Sequence, residues 1–234
     1  MDKGTPSLLV TALVALVFGF AGAGLWNWSG MGNPAVEAYL LDNPEILPKM
    51  AEELQRRDAE KRLGAVDAEV KAPFPGAILG NPNGSVVLVE FTDYGCTYCR
   101  KSVEDVQALV AANPDLKVVI REWPIFQGSD GPARMALAAA KQGKFEAFHN
   151  AMFAAGSTSP EAVEAAAKAA GLDMVAANEF AASREAEFEL MKNRSLAQQL
   201  GFDGTPAWVA GDRLIYGAVG RAELSEALAS AKES

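Results

Sequence analysis

Cys96 and Cys99 stand at the point where an apolar run gives way to a helical pattern, and they are the only two cysteines in 234 residues. The run before them, Ser85-Val86-Val87-Leu88-Val89-Glu90-Phe91, is β-branched and almost continuously apolar, the pattern of a strand buried on both faces. After them Cys99, Val103, Val106 and Val110 recur at helical spacing. That spacing turns Cys99 toward the core and leaves Cys96 on the exposed side, at the helix tip. A disulfide between such close neighbours restrains little chain, so the pair reads as a redox site rather than a structural staple. The thiolate is the species that attacks a disulfide, and free backbone N–H groups at a helix start favour it. A helix terminus supplies about 0.3–1 kcal/mol, up to about 2, against about 1.36 kcal/mol per pKa unit. The terminus alone therefore lowers the thiol by roughly one.

The chain around this pair is acidic, with a net charge of −9 and no basic stripe, which argues against a nucleic-acid partner. Residues 4–36 carry no charge, and residues 7–28 are apolar enough and long enough to cross a bilayer as a helix. Trp26 and Trp28 fall where an interfacial aromatic belt would lie. Lys3 precedes the run and the next basic residue is Lys49, so the positive-inside rule puts the bulk of the chain outside the cytoplasm. Residues 1–30 are thus expected to be a transmembrane anchor, with a cleaved signal peptide ending near Ala21-Gly22-Ala23 as the alternative. Either way the cysteines meet an oxidising compartment.

Asn33-Pro34 and Asn43-Pro44 both read as a helix N-cap followed by proline at the first helical position. Residues 33–64 form a helical stalk in which Leu47, Met50 and Leu54 make a narrow stripe among many charges. Such a segment is a solvated stalk, a helix leaning on its own domain, or a homo-oligomerisation segment. Gly64 and the stretch 71–76 break the pattern, and a domain from residue 74 to the C-terminus follows. The cysteine helix ends at Asn113-Pro114, and Leu116-Lys117-Val118-Val119-Ile120-Arg121-Glu122 reads as a second strand, which completes a right-handed βαβ unit with parallel strands. About residues 129–200 turn helical, with Ser159-Pro160 as one start and Gly171 and Gly201 as stops. Two short strands around Gly211-Asp212 form an antiparallel hairpin, with Trp208 in the core, and residues 221–232 close as a helix.

These features resemble the DsbA-like thiol-disulfide oxidoreductases of the bacterial cell envelope from about Ile78 onward. The residues that carry the likeness are Ile78-Leu79-Gly80-Asn81-Pro82, Glu90-Phe91 ahead of the cysteines, Lys144-Phe145-Glu146-Ala147-Phe148-His149, and Gly204-Thr205-Pro206-Ala207. The leader Tyr39-Leu40-Leu41-Asp42-Asn43-Pro44-Glu45 is similar to that of the ScsC and Com1-type subgroup, some of whose members oligomerise through this region. The resemblance implies an α/β thioredoxin fold with an inserted helical subdomain, preceded by the membrane helix and the stalk. It implies Cys96 as attacking thiol, Cys99 as resolving thiol, Pro206 as a cis-proline facing them, Thr205 offering its backbone to an extended client chain, and Glu90 as a buried acid moving a proton to or from Cys99. It also implies a periplasmic location, client proteins with thiols or disulfides, and a membrane redox partner, either a quinone-linked oxidase or a transmembrane reductant.

Thr97-Tyr98 stand between the cysteines where the strongest oxidants of the family carry Pro-His, so no imidazolium supports the thiolate and a milder oxidant is expected. Asp93, Tyr94 and Tyr98 either line the rim of the site or serve only as packing, and none is assigned a catalytic role. A structural zinc site needs about four protein ligands, and the single histidine, His149, is expected in a distant helix as packing or surface. The competing reading is a copper-handling or chaperone-like binding protein, since soft thiolates suit copper(I). No Gly-rich phosphate loop or dinucleotide fingerprint is present, and no organic cofactor is expected.

Overall fold

The computed structural model describes residues 8–28 and 33–231. It divides into two compact units, Met1–Gln55 and Arg56–Ser234.

The first unit holds α1 (Leu8–Trp28), α2 (Asn33–Asp42) and the start of α3 (Ile46–Gly64). Asn43 closes α2 by donating from its side chain to the Tyr39 carbonyl at 2.8 Å. The membrane helix expected over residues 1–30 is present as the helix α1 but is not established as a span. Among the described residues no helix is long and apolar enough to cross a membrane.

The second unit is built on a mixed sheet of five strands in the order β1-β3-β2-β4-β5. These are β1 (Ile78–Gly80), β2 (Val86–Thr92), β3 (Leu116–Glu122), β4 (Ala207–Ala210) and β5 (Arg213–Tyr216). β2 and β3 run parallel, with α5 (Thr97–Ala112) as their crossover. β1 joins β3 antiparallel at one edge, and the β4–β5 hairpin joins β2 antiparallel on the other side. Side chains alternate between faces along each strand, and the two faces hold different cores. Leu88, Val118, Ile120 and Trp208 pack with Cys99, Val106 and Phe148 on one face. Val89, Phe91, Val119 and Val209 pack with Leu63, Val70, Leu196 and Leu200 on the other.

Between β3 and β4 lie α6 (Asp130–Lys141), α7 (Phe145–Ala155), α8 (Pro160–Ala169), α9 (Met174–Ala181) and α10 (Arg184–Leu200). Their starts follow capping chemistry: the side chains of Ser159, Asp173 and Ser183 accept from backbone N–H groups of the first turns. α10 stops at Gly201, whose φ of 74° lies where side-chain-bearing residues are strained. α6 is rich in alanine and buried from Pro132 to Ala140 except at Arg134, so its neighbours approach closely. The end of α3 belongs to this unit, with Ala59 and Leu63 buried, and α4 (Asp67–Lys71) follows it. A fully buried Arg121 holds this approach in place. Its guanidinium donates to the carbonyls of Val70 (3.1 Å), Glu69 and Ala72, and to Glu189 (3.0 Å) and Asn193 (3.1 Å) on α10. α11 (Arg221–Ser230) closes the unit.

Candidate active site

The end of β2 feeds directly into the cysteine helix, and Asp93 shapes that junction. Its carboxylate accepts from the N–H groups of Gly95 (2.7 Å), Ile125 (2.6 Å) and Phe126 (2.9 Å). Two loops are thereby drawn together, closely enough that a Cβ on Gly95 would meet Ser129 Oγ at 2.6 Å. Cys96 then takes the N-cap of α5, in extended conformation. Its Sγ accepts from the Cys99 N–H at 3.4 Å and, as a thiol, donates to the Thr205 carbonyl oxygen at 3.1 Å. Thr205 and Pro206 are joined by a cis peptide bond, and the Pro206 carbonyl is fixed by the Gly217 N–H at 2.8 Å. Both cysteines are free thiols.

The two sulfurs are displaced in opposite directions. Cys96 falls from the ordinary thiol value of 9.0 to about 5. The hydrogen-bonded Cys99 thiol is the largest cause, and the Thr205 hydroxyl and the N–H groups of Cys99 and Tyr98 assist against the opposing effect of burial. The Thr205 hydroxyl forms no hydrogen bond of normal geometry, so the sulfur and backbone donors carry most of the effect. Burial drives Cys99 strongly upward, and its bond to Cys96 adds to the effect. Glu90, on the same sheet face, is pushed up by burial from 4.5 to about 8; the Thr92 side chain offsets this slightly and the Cys96 charge adds to it. One sulfur is thus held as thiolate at neutral pH and the other as thiol, above a carboxyl that keeps its proton.

Comparison with known proteins bears on the same residues. A family model described as a DSBA-like thioredoxin domain matches residues 87–229. The chain belongs to the DsbA-like thioredoxin family. A second model, the N-terminal domain of the copper resistance protein ScsC, matches residues 33–61, which agrees with the subgroup expected from the leader. A thioredoxin-like oxidoreductase from Silicibacter pomeroyi DSS-3 is 40% identical, with a TM-score of 0.67 over 72% of this chain and 98% of that one. A linker-deletion variant of Proteus mirabilis ScsC is 25% identical, with a TM-score of 0.69 over 86% and 93%. A periplasmic thioredoxin-like protein from Salmonella enterica serovar Typhimurium is 25% identical, with a TM-score of 0.64 over 73% and 97%. No curated protein matches the chain.

Within this DsbA-like frame, Cys96, Cys99, Thr205 and Pro206 come together and Glu90 lies buried in β2, but three expectations from the sequence are corrected. Cys96 does not face solvent: it is 2% exposed, because the Thr205 stretch, more than a hundred positions away in sequence, closes on its sulfur. Asp93 and Tyr94 are buried rather than at the rim, since Asp93 is spent on loop N–H groups. Tyr98 does stand exposed, joined by Ile125 and Phe126, which the sequence reading missed. His149 is not remote: its Nδ1 lies 3.1 Å from the Tyr94 hydroxyl, which also donates to Glu122 Oε1 at 3.0 Å. Glu122 was missed as well. An acid at the end of a strand with a Val118-Val119-Ile120 core was the available signal.

Proposed function

We propose that this protein is an extracytoplasmic thiol-disulfide oxidoreductase that exchanges disulfides with client proteins through Cys96 and Cys99. The observation that carries the reading is the opposite displacement of the two sulfurs, Cys96 down to about 5 and Cys99 up. In the oxidising direction a client thiolate attacks Cys96 of the Cys96–Cys99 disulfide, Cys99 leaves and takes a proton from Glu90, and a second client thiol then displaces Cys96 as a thiolate. In the isomerising direction reduced Cys96 begins the exchange and Cys99 resolves it. An extended client would pair with the Thr205 backbone beside Pro206. Its N–H would take the Thr205 carbonyl, which frees the Cys96 sulfur from its 3.1 Å contact.

Low thiol pKa makes Cys96 a good leaving group and a modest nucleophile, which favours the oxidising direction with a quinone-linked membrane oxidase as the resetting partner; a transmembrane reductant would serve the isomerase. The uncharged run of residues 4–36 supports periplasmic export, either anchored through that run or released by cleavage near Ala21-Gly22-Ala23. Exposed Tyr39, Leu47, Met50 and Leu54 in the ScsC-like segment support self-association. Alkylation of cells quenched in acid tests the direction: Cys96 and Cys99 found mostly as disulfide indicate an oxidase, and mostly as dithiol an isomerase or reductase. A Cys99→Ser protein should accumulate mixed disulfides with clients. Wild-type protein that retains copper(I) stoichiometrically and turns over no disulfides, or a Cys96→Ser protein that keeps full activity, would replace this reading with the copper-handling or chaperone-like one.

A further inference from the structure

The exchange chemistry leaves one group of buried side chains unused. Glu122 at the end of β3, Tyr94 just before Cys96 and His149 on α7 are all nearly or fully buried. The Tyr94 oxygen joins the other two, at 3.0 Å to Glu122 Oε1 and 3.1 Å to His149 Nδ1. A phenol has a single proton, so it can donate to only one of these neighbours at a time. Either Glu122 donates to Tyr94 and Tyr94 to His149, or His149 donates to Tyr94 and Tyr94 to Glu122. The two patterns differ only by moving protons along the chain, and neither requires a net charge. The rings of Phe148 and Phe153 lie 6.0 and 4.8 Å from Tyr94 and keep this chain in apolar surroundings.

At its other end the chain lies on the sheet face that carries the cysteine site. Thr92 stands opposite Glu122 in the parallel register, and Glu90 lies two residues back on the same face of β2. Thr92 Oγ1 and Glu122 Oε2 are both buried without a hydrogen-bond partner, and such atoms are rare enough to demand an explanation. Asp93, the neighbouring acid, is already committed to three backbone N–H groups.

We propose that Glu122, Tyr94 and His149 form a proton relay that recharges Glu90 during exchange, an inference that rests on the reading of the protein as a disulfide oxidoreductase. When a client thiolate bonds to Cys96, the Cys96–Cys99 bond breaks and its electron pair leaves on Cys99. Cys99 takes the proton of Glu90. Glu90 recovers one from Glu122 across the Thr92 hydroxyl, which holds no hydrogen bond at rest and must turn to join the two carboxyls; Tyr94 reprotonates Glu122, and His149 passes its Nδ1 proton to Tyr94 and regains one at Nε2 from solvent when its packing opens. The sum is one proton moved from water to a sulfur that is itself fully buried. Burial keeps Glu122 protonated and His149, lowered to about 3, neutral at working pH, so the relay rests in its uncharged state.

The test is reduction of the oxidised full-length protein by dithiothreitol in mixtures of light and heavy water, with Tyr94→Phe and Glu122→Gln as variants. In the wild type the rate should curve with deuterium fraction, as several protons move together. Each variant should slow the step about tenfold or more, within what proton transfer by a placed side chain contributes. The Cys96 pKa, read from thiolate absorbance, should stay in place, which a merely structural role for Tyr94 would not ensure. A linear dependence in the wild type overturns the relay whether or not the variants fold, and so does a Tyr94→Phe rate within about twofold of wild type across pH. A wild type that exchanges no disulfides at all defeats the underlying reading instead.

Discussion

The position of Cys96 on the pKa scale sets how oxidising the protein is, and the size of that effect can be worked out. Only the part of the fall from 9.0 to about 5 that lies below pH 7 stabilises the reduced form at neutrality. Two pKa units correspond to about 2.7 kcal/mol, or about 60 mV for a two-electron couple. Thioredoxin, whose reactive thiol has a pKa of about 7 and so gains almost nothing at that pH, has a potential of about −270 mV. DsbA, at about 3.5, gains about 105 mV by the same arithmetic, of the roughly 150 mV that separate the two proteins. Added to the thioredoxin value, the 60 mV gives about −210 mV unscaled and about −185 mV when scaled in that proportion, a milder oxidant than DsbA. The absence of an imidazolium from Thr97-Tyr98 is in keeping with that. Equilibration with glutathione buffers at neutral pH, followed by acid quenching and alkylation, measures the value directly. A potential near that of thioredoxin, or one as high as about −130 mV, would refute the reasoning, because either requires a Cys96 pKa other than the one its surroundings impose.

Two further outcomes follow from buried charge. Glu90, raised from 4.5 to about 8, holds its proton in the folded protein where the unfolded chain has lost it, so its contribution to stability is intact below pH 4.5 and is lost as pH rises toward 8. Between those values stability should fall by about 1.4 kcal/mol per pH unit from this group alone, and Glu90→Gln should flatten urea-denaturation profiles by that slope. Arg121→Ala should cost about 3–5 kcal/mol in the same assay, since Glu189 keeps only the longer contact with Lys192 at 3.7 Å and the carbonyls that Arg121 serves lose their donor, while joint replacement of Arg121 and Glu189 by apolar residues of similar size should recover much of the loss.

What the sequence discloses is whatever is local. The strand leading into Cys96, the stripe that buries Cys99, and the caps at Ser159 and Gly201 are patterns a few residues long, and the structure contains each of them. β1 is three residues long and carries no periodicity of its own; its strand character comes from pairing with β3. The burial of Cys96 depends on Thr205, 109 positions away, and the Glu122, Tyr94 and His149 chain joins residues 28 and 55 positions apart. A single histidine with no ligand-spaced neighbour gives no sign of a partner. Only the packing of α7 against the cysteine face supplies one.

The same packing explains why the acids beneath the cysteines are held neutral, and it makes the potential depend on pH in a defined way. Negative charge in this site can rest on Cys96, where N–H groups at the start of α5 receive it; a carboxylate at Glu90 or Glu122 would add like charge in a buried setting. Reduction between pH 5 and neutrality therefore delivers two electrons but one proton, to Cys99, and the potential should fall by about 30 mV per pH unit. Below about pH 5 Cys96 is protonated too, and the slope should approach about 59 mV. On the alkaline side Glu90 feels the Cys96 charge only in the reduced form, so its pKa is higher there than in the disulfide form. Over the interval between those two values reduction takes up a second proton and the line steepens again, relaxing to the shallower slope above about pH 8. A uniform slope of about 59 mV from pH 5 to 7 would remove the thiolate from Cys96, and a uniform 30 mV from pH 5 to 9 would uncouple Glu90 from the sulfur it is proposed to serve.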